Sequence, residues 1–159
     1  MSIFVNTFLL TTFLVSAAFS QNAGFGSIAS DRNKPIQFTS DSLIFNQKKN
    51  IAELFDKVEI TQGESILSAE HVKVIYSETD NKLEKIFAGI NVVFKSGNDI
   101  AKAENAIYSF LEDTISLSGN AKLFQGSNSI LADQILKNTK TGLTQMLGSV
   151  KTIISPSAN

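Results

Sequence analysis

The strongest constraint on the fold of this chain is a pattern that returns about every thirty residues. Each unit begins with an acidic residue ahead of an alternating apolar run, carries a Gly or Asp about fifteen residues later, and closes on a Gly. The acidic residues are Asp41, Glu70, Glu104 and Asp133, the central ones are Asp56, Gly89, Gly119 and Gly148, and the first three units close on Gly63, Gly97 and Gly126. Such self-similarity predicts a repeat architecture whose units bury their apolar faces against their neighbours.

The first twenty residues have the composition of a secretion signal. The stretch from Ile3 to Phe19 is almost wholly apolar or small and carries no charge, and Ala18-Phe19-Ser20 supplies the residue sizes that a signal peptidase requires. We therefore predict a signal peptide over residues 1–20, with cleavage before Gln21 and export of the mature chain. An uncleaved membrane anchor is the alternative, although about 17 apolar residues are few for spanning a bilayer.

The rest of the chain is predicted to form one domain. Residues 21–34 are rich in Ser, Asn and Gly without periodicity, which indicates a flexible leader. The domain then spans residues 35–154, and residues 155–159 form a tail. The absence of cysteine excludes a disulfide framework and thiol chemistry, and a net charge of −1 argues against nucleic acid as a partner.

Period-two alternation of apolar residues recurs throughout this domain. Short alternating runs separated by turns rich in Asn, Asp and Gly predict an all-β sandwich or roll. The second unit is longer than its neighbours. We place one extra residue near Ile90-Asn91 and expect a β-bulge there.

The candidates for chemistry are interpreted as structural residues. His71 is the only histidine, and its parity is opposite to that of Val72, so it is expected to face solvent. The acidic residues recur in every unit, whereas a catalytic residue is needed once, so we place them at junctions between strands and turns. The sequence therefore predicts no catalytic residue, no metal site and no cofactor, and the protein is not expected to be an enzyme.

One parity of the alternating runs forms a candidate buried face. Its members are large apolar or aromatic residues, and periodicity leaves open whether they fill an ordinary core or surround a ligand. They are Phe38, Leu43, Phe45, Leu54, Val58, Ile60, Val72, Val74, Tyr76, Phe87, Val92, Phe94, Tyr108, Phe110, Leu117 and Leu123.

The repeated motifs resemble those of a known family. The Ala-Asp/Glu motif, the central Gly before an alternating strand, and the Gln-Gly closure are similar to the OstA-like (LptA) family of periplasmic lipopolysaccharide-transport proteins. The matching stretches are 66–74, 117–126 and 130–135, and the similarity covers roughly residues 35–154.

This resemblance implies a fold, a ligand and partners. It implies an antiparallel β-jellyroll, open like a folded taco, in which the sixteen inward residues line a groove for the acyl chains of lipid A. It further implies that copies stack end to end and bridge an LptC-type inner-membrane protein to an LptD-type outer-membrane protein.

The two edges of the sheet are the predicted contact points for stacking. Unpaired backbone groups on terminal strands recruit further strands unless charge or proline blocks them. We place these edges at Ile36 and Phe38 in the first strand and at Val150 and Ile153 in the last. Two alternatives stay open: another OstA-like component, of LptC or LptD type, and a structural envelope protein without a lipid ligand.

Overall fold

The fold was analysed in a computed structural model, which describes residues 31–155. This part of the chain contains ten β-strands. They are β1 (Ile36–Thr39), β2 (Ser42–Asn46), β3 (Ile51–Gln62), β4 (Ser65–Tyr76), β5 (Leu83–Ser96), β6 (Asp99–Ser109), β7 (Thr114–Gln125), β8 (Asn128–Asn138), β9 (Thr144–Leu147) and β10 (Lys151–Ile153). The predicted signal peptide and its cleavage site lie outside the described residues.

All strand pairs in this region are antiparallel and join one sheet. The order is β1-β3-β4-β5-β6-β7-β8-β10, with β2 also pairing β3 and β9 also pairing β8. Consecutive long strands are therefore neighbours, as expected of a chain of repeated hairpins. The predicted antiparallel β-jellyroll is confirmed.

Each long strand bends near its middle, so the sheet has two layers. The first layer comprises β2, residues 51–55, 71–76, 83–89, 105–109, 114–118 and 134–138, and β9. The second comprises β1, residues 58–62, 65–69, 92–96, 99–103, 121–125 and 128–132, and β10. The register shifts at the bend in every pair of long strands, so each layer keeps its own ladder of hydrogen bonds.

Left-handed backbone makes these bends. The pairs Asp56-Lys57, Ile90-Asn91 and Gly119-Asn120 all have positive φ, between 49° and 81°. Gly148, between β9 and β10, takes the same region at 88°. Two adjacent left-handed residues interrupt the pleat and turn the strand, as in a β-bulge. A bulge at Ile90-Asn91 was predicted, and the register shift between Gly89 and Val92 confirms it.

The extra length of the second unit lies elsewhere. The spacing from acidic residue to bend is fifteen residues in three units and twenty between Glu70 and Ile90. The additional residues extend β4 and β5 in the first layer and the turn between them. The prediction of one inserted residue at the bend was therefore wrong, because the bends at 56–57, 90–91 and 119–120 each take two residues.

The repeated acidic residues clip these bends together. In each of them, one carboxylate oxygen accepts a hydrogen bond from a residue at the bend of the strand or segment that follows. The donors and acceptors are Lys57 and Asp41, Asn91 and Glu70, Asn120 and Glu104, and Ser149 and Asp133. A structural role was predicted, but the position was wrong, since three of these residues lie in the middle of β4, β6 and β8 rather than at turns.

Two rows of turns form the lips of the folded sheet. The second-layer lip consists of two-residue turns that begin with Gly63, Gly97 and Gly126, whose φ values of 58° to 61° suit a type II′ hairpin. The first-layer lip has longer turns, between β2 and β3, β4 and β5, β6 and β7, and β8 and β9. The sheet is thus closed at the bends and opens between its lips.

Residues 31–34 belong to the folded domain. Asp31 is 2% exposed and accepts a hydrogen bond from the backbone N–H of Glu64, while Gln62 Nε2 donates to the carbonyls of Arg32 and Lys34. The structure therefore differs from the predicted flexible leader at these four residues. At the other end, the N–H of Ser155 donates to Asn128 Oδ1 and its hydroxyl donates to the carbonyl of Ser127, so Ser155 is held by the domain.

Candidate functional site

The inner faces of the two layers enclose one apolar groove. Its buried residues form a single cluster that runs from β3 to β8. Nine of the sixteen predicted inward residues belong to it, namely Leu54, Val58, Ile60, Val72, Val74, Val92, Phe94, Leu117 and Leu123. Leu54, Leu117 and Leu123 are at most 1% exposed, so the groove floor is closed to solvent.

Four more predicted residues pack against this cluster with part of their surface exposed: Phe38, Tyr76, Tyr108 and Phe110. Tyr108 and Phe110 stack with ring centroids 4.0 Å apart at the first-layer lip. Burial raises the pKa of the Tyr108 hydroxyl, and burial also raises the pKa of Tyr76. At the mouth of the groove, Tyr76 and Tyr108 therefore present uncharged hydroxyl groups at the ends of apolar rings.

Leu43 and Phe45 face the groove at its exposed end. Both lie on β2, opposite Leu54 and Ala52, and cross-strand partners share a face. They are 57% and 55% exposed because β2 is an edge strand, and Phe45 makes only an edge-on contact with Tyr76. These two residues extend the apolar face to the edge of the sheet.

Phe87 lies on the opposite face of the sheet. Its neighbours Ile86 and Ala88 are buried in the groove, while its ring sits outside under the ammonium groups of Lys73 and Lys85, 5.1 and 5.9 Å from the centroid. The inward prediction for Phe87 was wrong because it assumed one inserted residue before Val92. Because the bend takes two residues, the last inward residue before it and the first inward residue after it are four positions apart in sequence, as Ala88 and Val92 are.

The sequence interpretation also missed smaller groove residues. Ile86, Ala88, Leu67, Ala106 and Ile115 line the space between the layers. Ala106 was not predicted because the predicted set holds only large apolar or aromatic residues, and Ile86 and Ala88 were not predicted because the parity assigned to β5 was wrong. The unfilled volume between the layers is about 40 Å³, which is room for no more than a few water molecules. The layers must therefore separate to admit a large apolar ligand.

A polar strap crosses the mouth of this groove. Asp31 is fixed to the second-layer lip by the backbone N–H of Glu64 at 2.8 Å, and Arg32 Nη2 reaches Asp113 Oδ1 on the first-layer lip. Burial raises the pKa of Asp31, but hydrogen bonds from Lys34, Glu64 and Ser65 outweigh it and hold that pKa below its ordinary value. We call residues 31–34 the strap. Sequence periodicity gives no signal for it.

A buried lysine lies at the same mouth. Lys137 faces inward beside Ile115, and its ammonium donates to the carbonyl of Gly142 at 2.8 Å. Burial lowers the pKa of Lys137. Sequence analysis missed it because a lysine in an alternating strand is normally assigned to the solvent face.

Comparison with known proteins identifies the family. The profile described as "LptA/(LptD N-terminal domain) LPS transport protein" matches residues 37–143, which is most of the described domain. The chain belongs to this family. A curated relative, the lipopolysaccharide export system protein LptA of Haemophilus influenzae, is 27% identical over 156 residues, covering 91% of this chain and 90% of that protein.

A solved structure supports the same fold for this LptA-family chain. The crystal structure of LptH, described as the LptA homologous periplasmic component of the lipopolysaccharide transport device of Pseudomonas aeruginosa, superimposes with a TM-score of 0.69. The match covers 80% of this chain and 99% of that one, at 19% identity. At that identity the comparison establishes the jellyroll and its two layers.

The outer face of this family member carries the one histidine of the chain. His71 faces outward as predicted and stacks on Phe55, with its Nε2 3.6 Å from Glu53 Oε2. Within residues 31–155, no three His, Cys, Asp or Glu side chains are grouped closely enough to hold a metal ion. The same region contains no helix of the length and hydropathy needed to cross a bilayer. The apolar groove is therefore the candidate functional site.

Proposed function

We propose that this chain is a periplasmic lipopolysaccharide-transport protein that holds the acyl chains of lipid A between its two layers. The observation that carries the proposal is the single apolar cluster that spans β3 to β8, within a fold and family shared with LptA-type proteins. Burial of acyl chains releases about 0.8 kcal/mol per methylene, so several chains can bind well with few polar contacts.

The described residues support this use of the groove. Its walls are nearly all aliphatic or aromatic, and the polar groups gather at the mouth, where Asp31, Gln62 and Lys137 lie. Acyl chains would enter between the lips with the sugar and phosphate groups outside. The small volume in this conformation requires that the strap and the lips give way as chains enter.

Site-specific photo-crosslinking tests the groove with neighbouring positions as controls. A photoreactive residue at position 86 or 94 should label lipopolysaccharide, because both side chains face the groove. The same residue at position 87 or 73 should not, because both lie outside. Equal labelling at positions 86 and 87 would contradict the groove assignment. Phe94→Asp should weaken lipid capture, since it puts a carboxylate among apolar chains.

Native mass spectrometry separates this function from the alternatives. Protein taken from the periplasm should carry a glycolipid, whereas a structural envelope protein would not. The match to nearly the whole length of an LptA relative favours the LptA type over LptC-type or LptD-type components.

We further propose that copies stack head to tail and bridge LptC-type and LptD-type partners at the two membranes. Within the described chain, β1 and β2 form one edge and β9 and β10 the other, each paired on one side. Both edges expose apolar side chains: Leu43, Ile44 and Phe45 at the first, and Leu147, Val150 and Ile153 at the second. Val150 lies just outside β10, so that strand is shorter than the sequence predicted. Strand addition at these edges would make the grooves of successive copies continuous.

A further inference from the structure

Four lysines share the outer face of the second layer. Lys102 and Lys122 are direct register partners on β6 and β7, Lys151 on β10 pairs with Leu131, the partner of Lys122, and Lys95 on β5 pairs with Ile100. All four are exposed. We call this surface the lysine face.

The charge on this face is not balanced. Outward positions on β5 to β10 in the second layer are held by Lys, Val, Ile, Leu, Phe and Ser, and none is acidic. None of the four lysines has a carboxylate oxygen within 4.0 Å in the described chain. Two acidic residues at the adjoining bends, Glu104 and Asp133, accept hydrogen bonds from the neutral donors Asn120 and Ser149. Four lysines therefore stand beside two carboxylates, and the excess charge is positive. The chain as a whole has a net charge of −1, so this concentration is local.

The arrangement opposes stability. Like charges directly opposite each other on neighbouring strands are destabilising, and Lys102 and Lys122 are such a pair. The lysines on the outer face of the first layer have different neighbours: Glu53 is the register partner of Lys73, and the ammonium groups of Lys73 and Lys85 lie over the ring of Phe87. A clustered charge that costs stability is explained by a partner of opposite charge.

Apolar side chains lie between the lysines. Ile100, Phe124, Leu131 and Ile153 share the face, and Phe124 and Ile153 are substantially exposed. Long lysine side chains with apolar neighbours suit the headgroup region of a bilayer, where ammonium groups meet phosphate and apolar groups reach below it. Protein–protein interfaces are instead depleted in Lys.

We propose that the lysine face docks onto an anionic phospholipid surface. This contact is separate from the groove, since it uses the opposite side of the second layer. Each lysine near such a surface contributes a factor of roughly five in binding. The attraction is screened at high ionic strength, because the Debye length falls to about 3 Å at 1 M salt.

Vesicle co-sedimentation tests the proposal with the purified protein. Vesicles of phosphatidylcholine with phosphatidylglycerol should bind it, and pure phosphatidylcholine vesicles should not. The triple variant Lys102→Gln, Lys122→Gln, Lys151→Gln should bind on the order of 100-fold less. The matched control removes three lysines from first-layer turns, Lys48→Gln, Lys49→Gln and Lys140→Gln, and should bind as the wild type does.

Several results would overturn the proposal. These are no binding by the wild type, equal binding to neutral vesicles, or an equal loss in the control triple. A loss of vesicle binding in Phe94→Asp with retention in the lysine triple would assign the contact to the groove. Thermal unfolding checks that the lysine triple is folded, and removal of the like-charge pair should leave its midpoint unchanged or raise it.

Discussion

Arg32 Nη2 lies 2.5 Å from Asp113 Oδ1, eighty-one residues further along the chain. The bond joins the two lips of the groove, since Arg32 follows Asp31, which is fixed to the second-layer lip, and Asp113 lies in the turn between β6 and β7 on the other lip. The strap is thus the short connection across the mouth. Acyl chains would have to pass it.

Removing this bond should open the mouth with little loss of stability. The two side chains are partly exposed, so a double-mutant cycle with Arg32→Gln and Asp113→Asn should give a coupling of about 1 kcal/mol in the free energy of unfolding. An apolar fluorescent probe should enter the groove faster in either variant. The Lys57–Asp41 ion pair lies at a bend, so Lys57→Gln should leave the entry rate unchanged. Equal acceleration there would contradict the strap.

Asp31→Asn should destabilise the fold in a pH-dependent way. The pKa of Asp31 in the folded protein is below its ordinary value of 3.8, so the carboxylate contributes stability above that value, and the contribution is lost as the pH falls through the folded pKa. Urea unfolding should show a deficit of about 1–3 kcal/mol at neutral pH, because a buried charged acceptor is lost. The deficit should shrink toward pH 2. A deficit independent of pH would mean that charge is not involved.

Gly119→Ala should cost more stability than Gly97→Ala. Both residues have positive φ, but a Cβ at Gly119 would lie 2.6–2.9 Å from the side chain of Glu104, whereas nothing lies within 4 Å at Gly97. We expect losses of about 2–4 kcal/mol at position 119 and about 1–2 kcal/mol at position 97. Chemical denaturation measures both. Equal losses would show that the bend accommodates a methyl group.

Ile90→Gly should stabilise the protein. A β-branched residue at φ 66° is strained by about 1–2 kcal/mol, and glycine relieves this at some entropic cost, so the net gain should be up to about 1 kcal/mol. Ile44→Gly is the matched control, since Ile44 is similarly exposed (60% against 57%) in an extended strand. It should lose about 1 kcal/mol. A loss at both positions would contradict the strain.

A proline substitution in β10 should reduce stacking of copies while the protein stays folded. The N–H groups of neighbouring strand residues point to opposite sides of the strand. One of the two variants Thr152→Pro and Ile153→Pro therefore removes an N–H that points away from the sheet, and the other removes an N–H that donates to β8. The outward substitution should shift light-scattering masses toward monomer across a concentration series and leave the fold intact. A wild-type protein that stays monomeric at high concentration would contradict self-stacking.

Much of the fold was predictable because it repeats. Alternation over twelve-residue strands fixed the inward parity of Leu54, Val72 and Leu117, and the glycines at the two-residue turns marked the hairpins. The bends were harder, because Asp56-Lys57 and Ile90-Asn91 reach a left-handed conformation without glycine. Because the two-residue bend at Ile90-Asn91 was not predicted, Phe87 was assigned to the wrong face of the sheet.

Parts of the site had no signal in local sequence. The strap depends on contacts between Asp31 and Glu64 and between Arg32 and Asp113, all remote in sequence, and its residues have no periodicity. Lys137 is buried by its surroundings rather than by its own hydropathy. The lysine face emerges only when the register aligns residues from four strands.

The line of bends gives the folded sheet a hinge. Each layer has its own ladder of hydrogen bonds, and the register shifts at Phe55, Gly89 and Ser118 mark where the ladders are interrupted. Rotation about this line would widen the groove without breaking a strand pair, and the hydrogen bonds from Asn91 to Glu70 and from Asn120 to Glu104 lie beside it. A groove that widens in this way would accommodate acyl chains of different length and number with little change in the energy of the backbone.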